Sequence, residues 1–152
     1  MTRRFVAFSV AATRCCIPVE QVMQILRPEN LLEVPKTPSF VEGVINLHGD
    51  ILPVIDLRKR LGLPAPGLSE NDARRKRIVA VRFGQRFYGL DVDEIREIVE
   101  LDDSAIRPEG AELLGDRGQF VSAVANPEEG AILVLDLARI LDAGRALASE
   151  QT

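Results

Sequence analysis

Two stretches of the chain repeat each other, and this duplication restricts the fold more than any other feature. Phe5, Ile17, Val19, Val22 and Ile25 recur as Ile78, Leu90, Val92, Ile95 and Ile98, each pair 73 residues apart. Further on, 51-ILPVIDLRKRL-61 recurs as 131-AILVLDLARIL-141, which sets Asp56 on Asp136 at an offset of 80. Val44 and Asn46 fall on Val124 and Asn126 at that same offset. The difference between the two offsets reads as an insertion in the second copy, within 102-DDSAIRPEGAELLGDRG-118. Self-similarity at a fixed period marks a structure assembled from copies of one small unit. The copies span roughly 15–66 and 84–145, with strands 4–10 and 78–83 opening each.

Each copy reads as a short β-rich unit. Alternation in 4-RFVAFSV-10 and 78-IVAVRF-83 predicts strands, and Gly84-Gln85 predicts a hairpin turn before 86-RFYGLDV-92. Val19, Val22 and Ile25, like Val92, Ile95 and Ile98, are spaced for a helical turn running into a strand. An apolar strand to Val44 or Val124 follows, then a turn at Asn46–Gly49 and a strand to Ile55 or Leu135. Asp56 and Asp136 stand where a helix would start, so their carboxylates are read as N-caps. Five or so short strands per copy, with no long helical crossover, predict a mainly β chain of two small barrels with short helical segments. The stretch 62-GLPAPGLSENDARRKR-77 is read as the linker, subdomain two as approximately 78–145, and 143–152 as a tail. Strand 4–10 is free to pair across the two subdomains of what is otherwise one domain, 1–152.

A net charge of −4 argues against general affinity for nucleic acid or anionic membrane. No apolar run approaches the roughly 18 residues of a membrane span. The opening 1-MTRRFVAFSVAATRCC-16 superficially resembles a secretory signal, but Arg14 cuts it short and 74-RRKRIVAVRF-83 repeats its character inside the chain. Cys15 and Cys16 are adjacent and can pair only with strain, so they are read as two reduced thiols in a strand. A redox switch on that pair is the competing reading.

The lone histidine, His48, sits beside Asp50 and invites a catalytic or metal-binding role. No spaced His or Cys supports a metal site, and any catalytic triad would have to route through this single imidazole. The glycines form no phosphate loop of standard spacing. The basic run Arg74, Arg75, Lys76, Arg77 lacks interleaved aromatics and reads as a solvated linker end. No catalytic residue, metal or cofactor is therefore assigned. What remains is binding, with the Asn46–Gly49 turn a candidate because Asn and Gly accept positive φ and project the residue between them.

The run 38-PSFVEGVINLHGDILPVIDLRKRLGL-63 resembles the signature of the CheW family of chemotaxis coupling proteins, approximately P-x-F-[VI]-x-G-V-x-N-L-R-G-x-I-x-P-V-[IV]-D-L-R. The resemblance extends over the whole chain, from an opening F-V-x-F strand to the degenerate second copy ending in I-L-V-L-D-L. It implies two five-stranded, SH3-like barrels packed together and no catalytic activity. It implies an adaptor that tethers a CheA-type histidine autokinase to chemoreceptor tips, in the cytoplasm, at receptor arrays beneath the inner membrane. In the family, receptor tips dock in an apolar groove between the barrels. The matching positions are Val19, Val22, Gln24 and Ile25, with Gly43, Val44, Asn46, Leu47, His48 and Gly49 near the signature turn. Kinase contact is assigned to no individual residue.

Two positions depart from the family pattern. His48 stands where arginine is usual, and Gln24 where glutamate is common. An acid–base pair is thereby replaced by two residues able to share a neutral hydrogen bond, which points to a specialised receptor or kinase. His48 would also suit pH sensing, since an unperturbed imidazole titrates at about 6.5. A CheW-like scaffold of another sensory pathway, such as motility or development, is the alternative function. A small redox-responsive regulator using Cys15-Cys16 is a further one.

Overall fold

Side-chain alternation dictates the strands. Along Val41–Leu47, Val41, Gly43 and Ile45 are buried while Glu42, Val44 and Asn46 are not, which is the two-residue period of a half-buried ribbon. The computed structural model describes residues 1–64, 70–125 and 130–142. The strands are β1 (Thr2–Val10), β2 (Thr13–Pro18), β3 (Val22–Leu26), β4 (Val41–Leu47), β5 (Asp50–Asp56) and β6 (Arg77–Phe83). They continue as β7 (Arg86–Val92), β8 (Glu94–Asp102), β9 (Ile106–Arg107), β10 (Val121–Ala125) and β11 (Ile132–Leu135). Short α-helices α1 (Leu57–Arg60), α2 (Glu70–Arg75) and α3 (Leu137–Ile140) and 3-10 segments over Val19–Gln21, Pro28–Asn30, Asp103–Ala105 and Pro108–Phe120 complete the described elements.

The architecture is mainly β, with two sheets ordered β3-β6-β7-β5-β4 and β8-β1-β2-β11-β10-β9. The sixth strand of the second sheet, β9, pairs with Val124 as Leu32 bridges the equivalent Val44 in the first copy, where only an isolated bridge forms. Sheet membership cuts across the sequence copies. The hairpin β1–β2, at the start of the chain, joins the sheet built by β8 to β11, and β6–β7 joins the sheet built by β3 to β5. Strand 4–10 lies in β1, which pairs with β8, Phe5 standing opposite Val99. The segments 15–66 and 78–145 thus describe copies in sequence, whereas each sheet draws strands from both.

Two parallel pairings seal this exchange. Val54, Ile55 and Asp56 of β5 lie beside Gly89, Leu90 and Asp91 of β7. Leu133 and Val134 of β11 lie beside Cys15 and Cys16 of β2, the same pairing carried over by the offsets of the duplication. The largest apolar cluster lies between the sheets. Phe8, Ile17, Ile55, Tyr88, Leu90, Leu135 and Leu141 all enter it, with residues of α1 and α3. The barrel interiors are smaller: Phe5, Ala7, Cys16 and Ile132 in one, Ile45, Val54 and Ile78 in the other.

The predicted caps are present. Asp56 Oδ1 accepts from the Lys59 amide at 3.2 Å and Asp136 Oδ1 from that of Arg139 at 3.4 Å. Gly84, at φ 64°, turns the β6–β7 hairpin. The helical turn expected in each copy forms only in the first, as a 3-10 turn over Val19–Gln21. In the second, Asp93 alone separates β7 from β8. Its amide donates to the Ser9 carbonyl at 2.9 Å and its carboxylate accepts from the Ala11 amide at 2.7 Å, pinning the corner. The linker holds a helix, α2, that its lack of apolar period did not predict. Residues 65–69, Asn126 and the tail 143–152 lie outside the described residues.

Adjacent residues of a strand face opposite ways, so Cys15 enters the inter-sheet core and Cys16 a barrel interior. Both thiols are free and fully buried, and burial pushes each up to about 12. Buried structural cysteines of this kind are inert. Neither thiol is expected to react with a chromogenic disulfide reagent in the native protein near neutral pH, and both should react in denaturant. Rapid native reaction would contradict this arrangement.

Candidate docking site

The β4–β5 hairpin turns on two residues, with Leu47 opposite Asp50. His48 (φ 51°) and Gly49 (φ 91°) are both left-handed, the pattern of a type I′ turn whose twist matches the strands. Histidine is among the side chains that enter this region more readily. Asn46 reinforces the turn, its Oδ1 accepting from the Gly49 amide at 3.0 Å. His48 is exposed at the tip, and no hydrogen bond or ion pair engages it among the described residues. The local sequence N-L-H-G-D is therefore a turn that displays an imidazole.

The other predicted group lies on and before β3. Val19 and Val22 are half-buried, and Val22 packs against the inter-sheet core. Gln24 is exposed, as are Ile25 and its neighbour Met23, at 42% and 46%. A register shift between Val22 and Gln24 marks a bulge that re-aims these side chains. β3 and β4 are opposite edges of the five-stranded sheet, so Gln24 and His48 share no hydrogen bond. The neutral hydrogen bond open to this pair is not made.

An arm following β3 reaches the β4 edge. The Leu32 amide donates to the Val44 carbonyl at 2.9 Å, and the Val44 amide to the Leu32 carbonyl at 2.8 Å. A Cβ on Gly43 would fall on the Leu32 carbonyl oxygen, so glycine there permits the arm to close. Gly43 and Val44 are thus engaged in closing the sheet, while Leu32 and Ile51 stand exposed nearby in the fold at 67% and 57%. Sequence reasoning missed both. Ile51 lies opposite Asn46, and its alternation was masked by the continuous apolar run that follows it.

The duplication also creates a pair of clefts. The first, of about 510 Å³, is lined by Ser39, Val41, Glu42 and Lys59; the second, of about 500 Å³, by the equivalent Gln119, Val121, Ser122 and Arg139. They differ most at Glu42, whose counterpart Ser122 donates to the Val134 carbonyl at 3.2 Å. Parallel pairing of β5 with β7 sets Asp56 beside Asp91 and thereby brings three carboxyl groups together. Asp91 is buried, with Oδ2 3.3 Å from Lys76 Nζ. Its Oδ1 has no donor among the described residues, and a proton held on Glu42 would give Asp91 a hydrogen bond. Burial, that hydrogen bond and the charges of Asp91 and Asp56 push Glu42 up to about 9, Lys76 opposing. Burial raises Asp91 as well. Among the described residues no cluster of His, Cys, Asp or Glu is placed to hold a metal ion, and no helix is long and apolar enough to cross a membrane.

Comparison with known proteins adds the following. The family model described as CheW-like domain matches residues 4–145. The chain is 28% identical over 138 residues to the chemotaxis protein CheW of Helicobacter pylori, covering 91% of this chain and 81% of that one. It is 30% identical over 141 residues to CheW of Bacillus subtilis, covering 91% and 86%. It is 30% identical over 151 residues to protein FrzA of Myxococcus xanthus, covering 94% and 88%. The crystal structure of the scaffolding protein TtCheW from Thermoanaerobacter tengcongensis superposes with a TM-score of 0.79 at 31% identity, covering 90% and 86%.

Two outcomes follow from this geometry. Gly43→Ala should destabilise the fold by about 1–3 kcal/mol in denaturant titration, because a backbone carbonyl must move to admit the methyl; an unchanged midpoint would contradict the close approach. Glu42 holds its proton up to about pH 9 when folded but releases it near 4.5 when unfolded. Its contribution to stability is thus complete below the lower value and is lost as pH climbs toward the higher one. Glu42→Gln, neutral throughout, should flatten the fall in Tm across this window, and parallel Tm–pH profiles would count against the shared proton.

Proposed function

The chain belongs to the CheW family, and from that premise we propose that it is a non-enzymatic adaptor coupling chemoreceptor cytoplasmic tips to a CheA-type histidine autokinase. It acts in the cytoplasm at receptor arrays, without a cofactor, nucleic acid or membrane insertion. The observation that carries the reading is the apolar edge of β3, where Met23 and Ile25 stand exposed on a strand that hydrogen-bonds on one side only. Unsatisfied strand edges and exposed apolar residues are costly unless a partner covers them. A receptor tip is a helical hairpin whose apolar ridge suits such a surface. The proposed receptor-facing residues are Val19, Val22, Gln24 and Ile25, with Gly43, Val44, Asn46, Leu47, His48 and Gly49 around the hairpin turn. The kinase regulatory domain is the second partner.

A second reading is favoured by the similarity to FrzA, a relative named outside CheW. In that reading the same scaffold serves another sensory pathway, such as motility or development. The departures at Gln24 and His48 support a specialised partner in either case, since both lie exposed on separate edges and neither is needed for packing. A redox regulator built on Cys15-Cys16 is opposed by the burial of both thiols.

Reconstitution with the organism's own CheA-like kinases and receptor fragments tests the reading. Adding the protein should make one kinase's autophosphorylation receptor-responsive, and binding to none of them would overturn it. The double variant Gln24→Glu/His48→Arg should shift which receptor is captured in pull-downs. Unchanged capture would remove these two residues from partner choice.

A further inference from the structure

The join between the barrels holds an arginine whose surroundings are symmetric although the residue is not. Phe40 precedes β4 and Phe120 precedes β10, at the same offset that relates Asp56 to Asp136. Each phenylalanine carbonyl accepts from the amide of the aspartate that caps its own barrel's helix, at 2.7 Å for Phe40 with Asp56 and 2.9 Å for Phe120 with Asp136. The rings are therefore tied to α1 and α3. Between them lies the guanidinium of Arg60, the last residue of α1, with its Cζ 4.3 Å from the Phe40 centroid and 4.5 Å from that of Phe120.

Arg60 also crosses to the second barrel by hydrogen bonds. Its Nε donates to the Ile140 carbonyl and its Nη2 to the Arg139 carbonyl, both at 3.1 Å. These carbonyls close α3, where a helix leaves its last acceptors without partners of its own. Burial draws the guanidinium below its ordinary pKa, with Asp142 opposing. The equivalent residue of the second copy is Ile140, which is fully buried. The near-symmetric join thus accommodates one cation, supplied by the first copy.

We propose that Arg60 is a positioning residue that fixes the orientation of one barrel against the other. A planar guanidinium can stack on two parallel faces while its edge donors hold fixed directions, which a lysine ammonium cannot do. Apolar packing between the sheets is non-directional and sets their separation, whereas the stacked, doubly hydrogen-bonded fork sets an angle. An adaptor that engages two partners at once needs that angle held. This consequence rests on the adaptor reading, while the lock itself does not.

The lock is tested on the protein alone. Nitroxides attached through Arg82→Cys on β6 and Glu100→Cys on β8, both exposed and in different sheets, report the inter-barrel distance, the buried native thiols staying unlabelled. In Arg60→Leu the distance distribution should broaden or shift, and Arg60→Lys should fail to restore it, while amide exchange within β1, β5 and β7 stays protected. An unchanged narrow distribution in Arg60→Leu overturns the lock. Should that variant fail to fold, Phe40→Leu removes one face of the stack from a half-buried ring, and the same two outcomes apply. In the kinase reconstitution, a native chain that activates and an Arg60→Leu chain that activates equally well despite a broadened distribution would overturn the positioning role. A native chain that activates nothing would instead count against the adaptor reading and leave the distance result standing.

Discussion

Parallel pairing between strands of different copies is the constraint on which the rest of the fold depends. β5 lies on β7 and β2 on β11, so each sheet is closed by a hairpin from the other copy. Neither copy can complete its sheet alone, and the dominant apolar cluster forms where the two meet. Long-range pairing of this kind carries a loop-closure cost before any contact rewards it. In return, the two barrels form one cooperative body. A scaffold that transmits force or orientation between partners requires that property.

The same exchange accounts for the most unusual electrostatics in the molecule. Asp91 arrives beside Asp56 because β7 pairs with β5, and Glu42 completes the group from β4. In the second barrel the corresponding pairing brings Cys15 and Cys16 beside Leu133 and Val134, and Ser122 replaces Glu42. The two equivalent clefts thus differ, one carrying a cluster of carboxyl groups at Glu42 and the other a neutral hydroxyl at Ser122. Val41 and Val121, which line the two clefts, also belong to the inter-sheet core, whereas Glu42 and Ser122 beside them do not. Most core positions keep their apolar character in both copies, Ile140 against Arg60 being an exception.

Much of the candidate site was legible in the chain itself. The I′ turn follows from Asn46, His48 and Gly49, and the caps from Asp56 and Asp136, since each depends on neighbours within a few residues. The exposed Met23 did not stand out, because a bulge between Val22 and Gln24 breaks the alternation by which it would be found. Leu32 could not be read at all, as its role is a bridge to Val44 across the sheet. Whether Gln24 and His48 would meet could not be read for the same reason: spacing along the chain says nothing of which sheet edge a residue will reach.

Sequence alone established two copies of a β unit, the turns and caps within each, and the resemblance to a family of coupling proteins. These are local or periodic properties, written in patterns a few residues long. Tertiary structure decided which strands belong to which barrel, that Glu42 meets Asp91 and Asp56, and that Arg60 sits between Phe40 and Phe120. Each of these joins residues far apart in the chain, and their partners are chosen by the pairing of sheets and the sharing of one core.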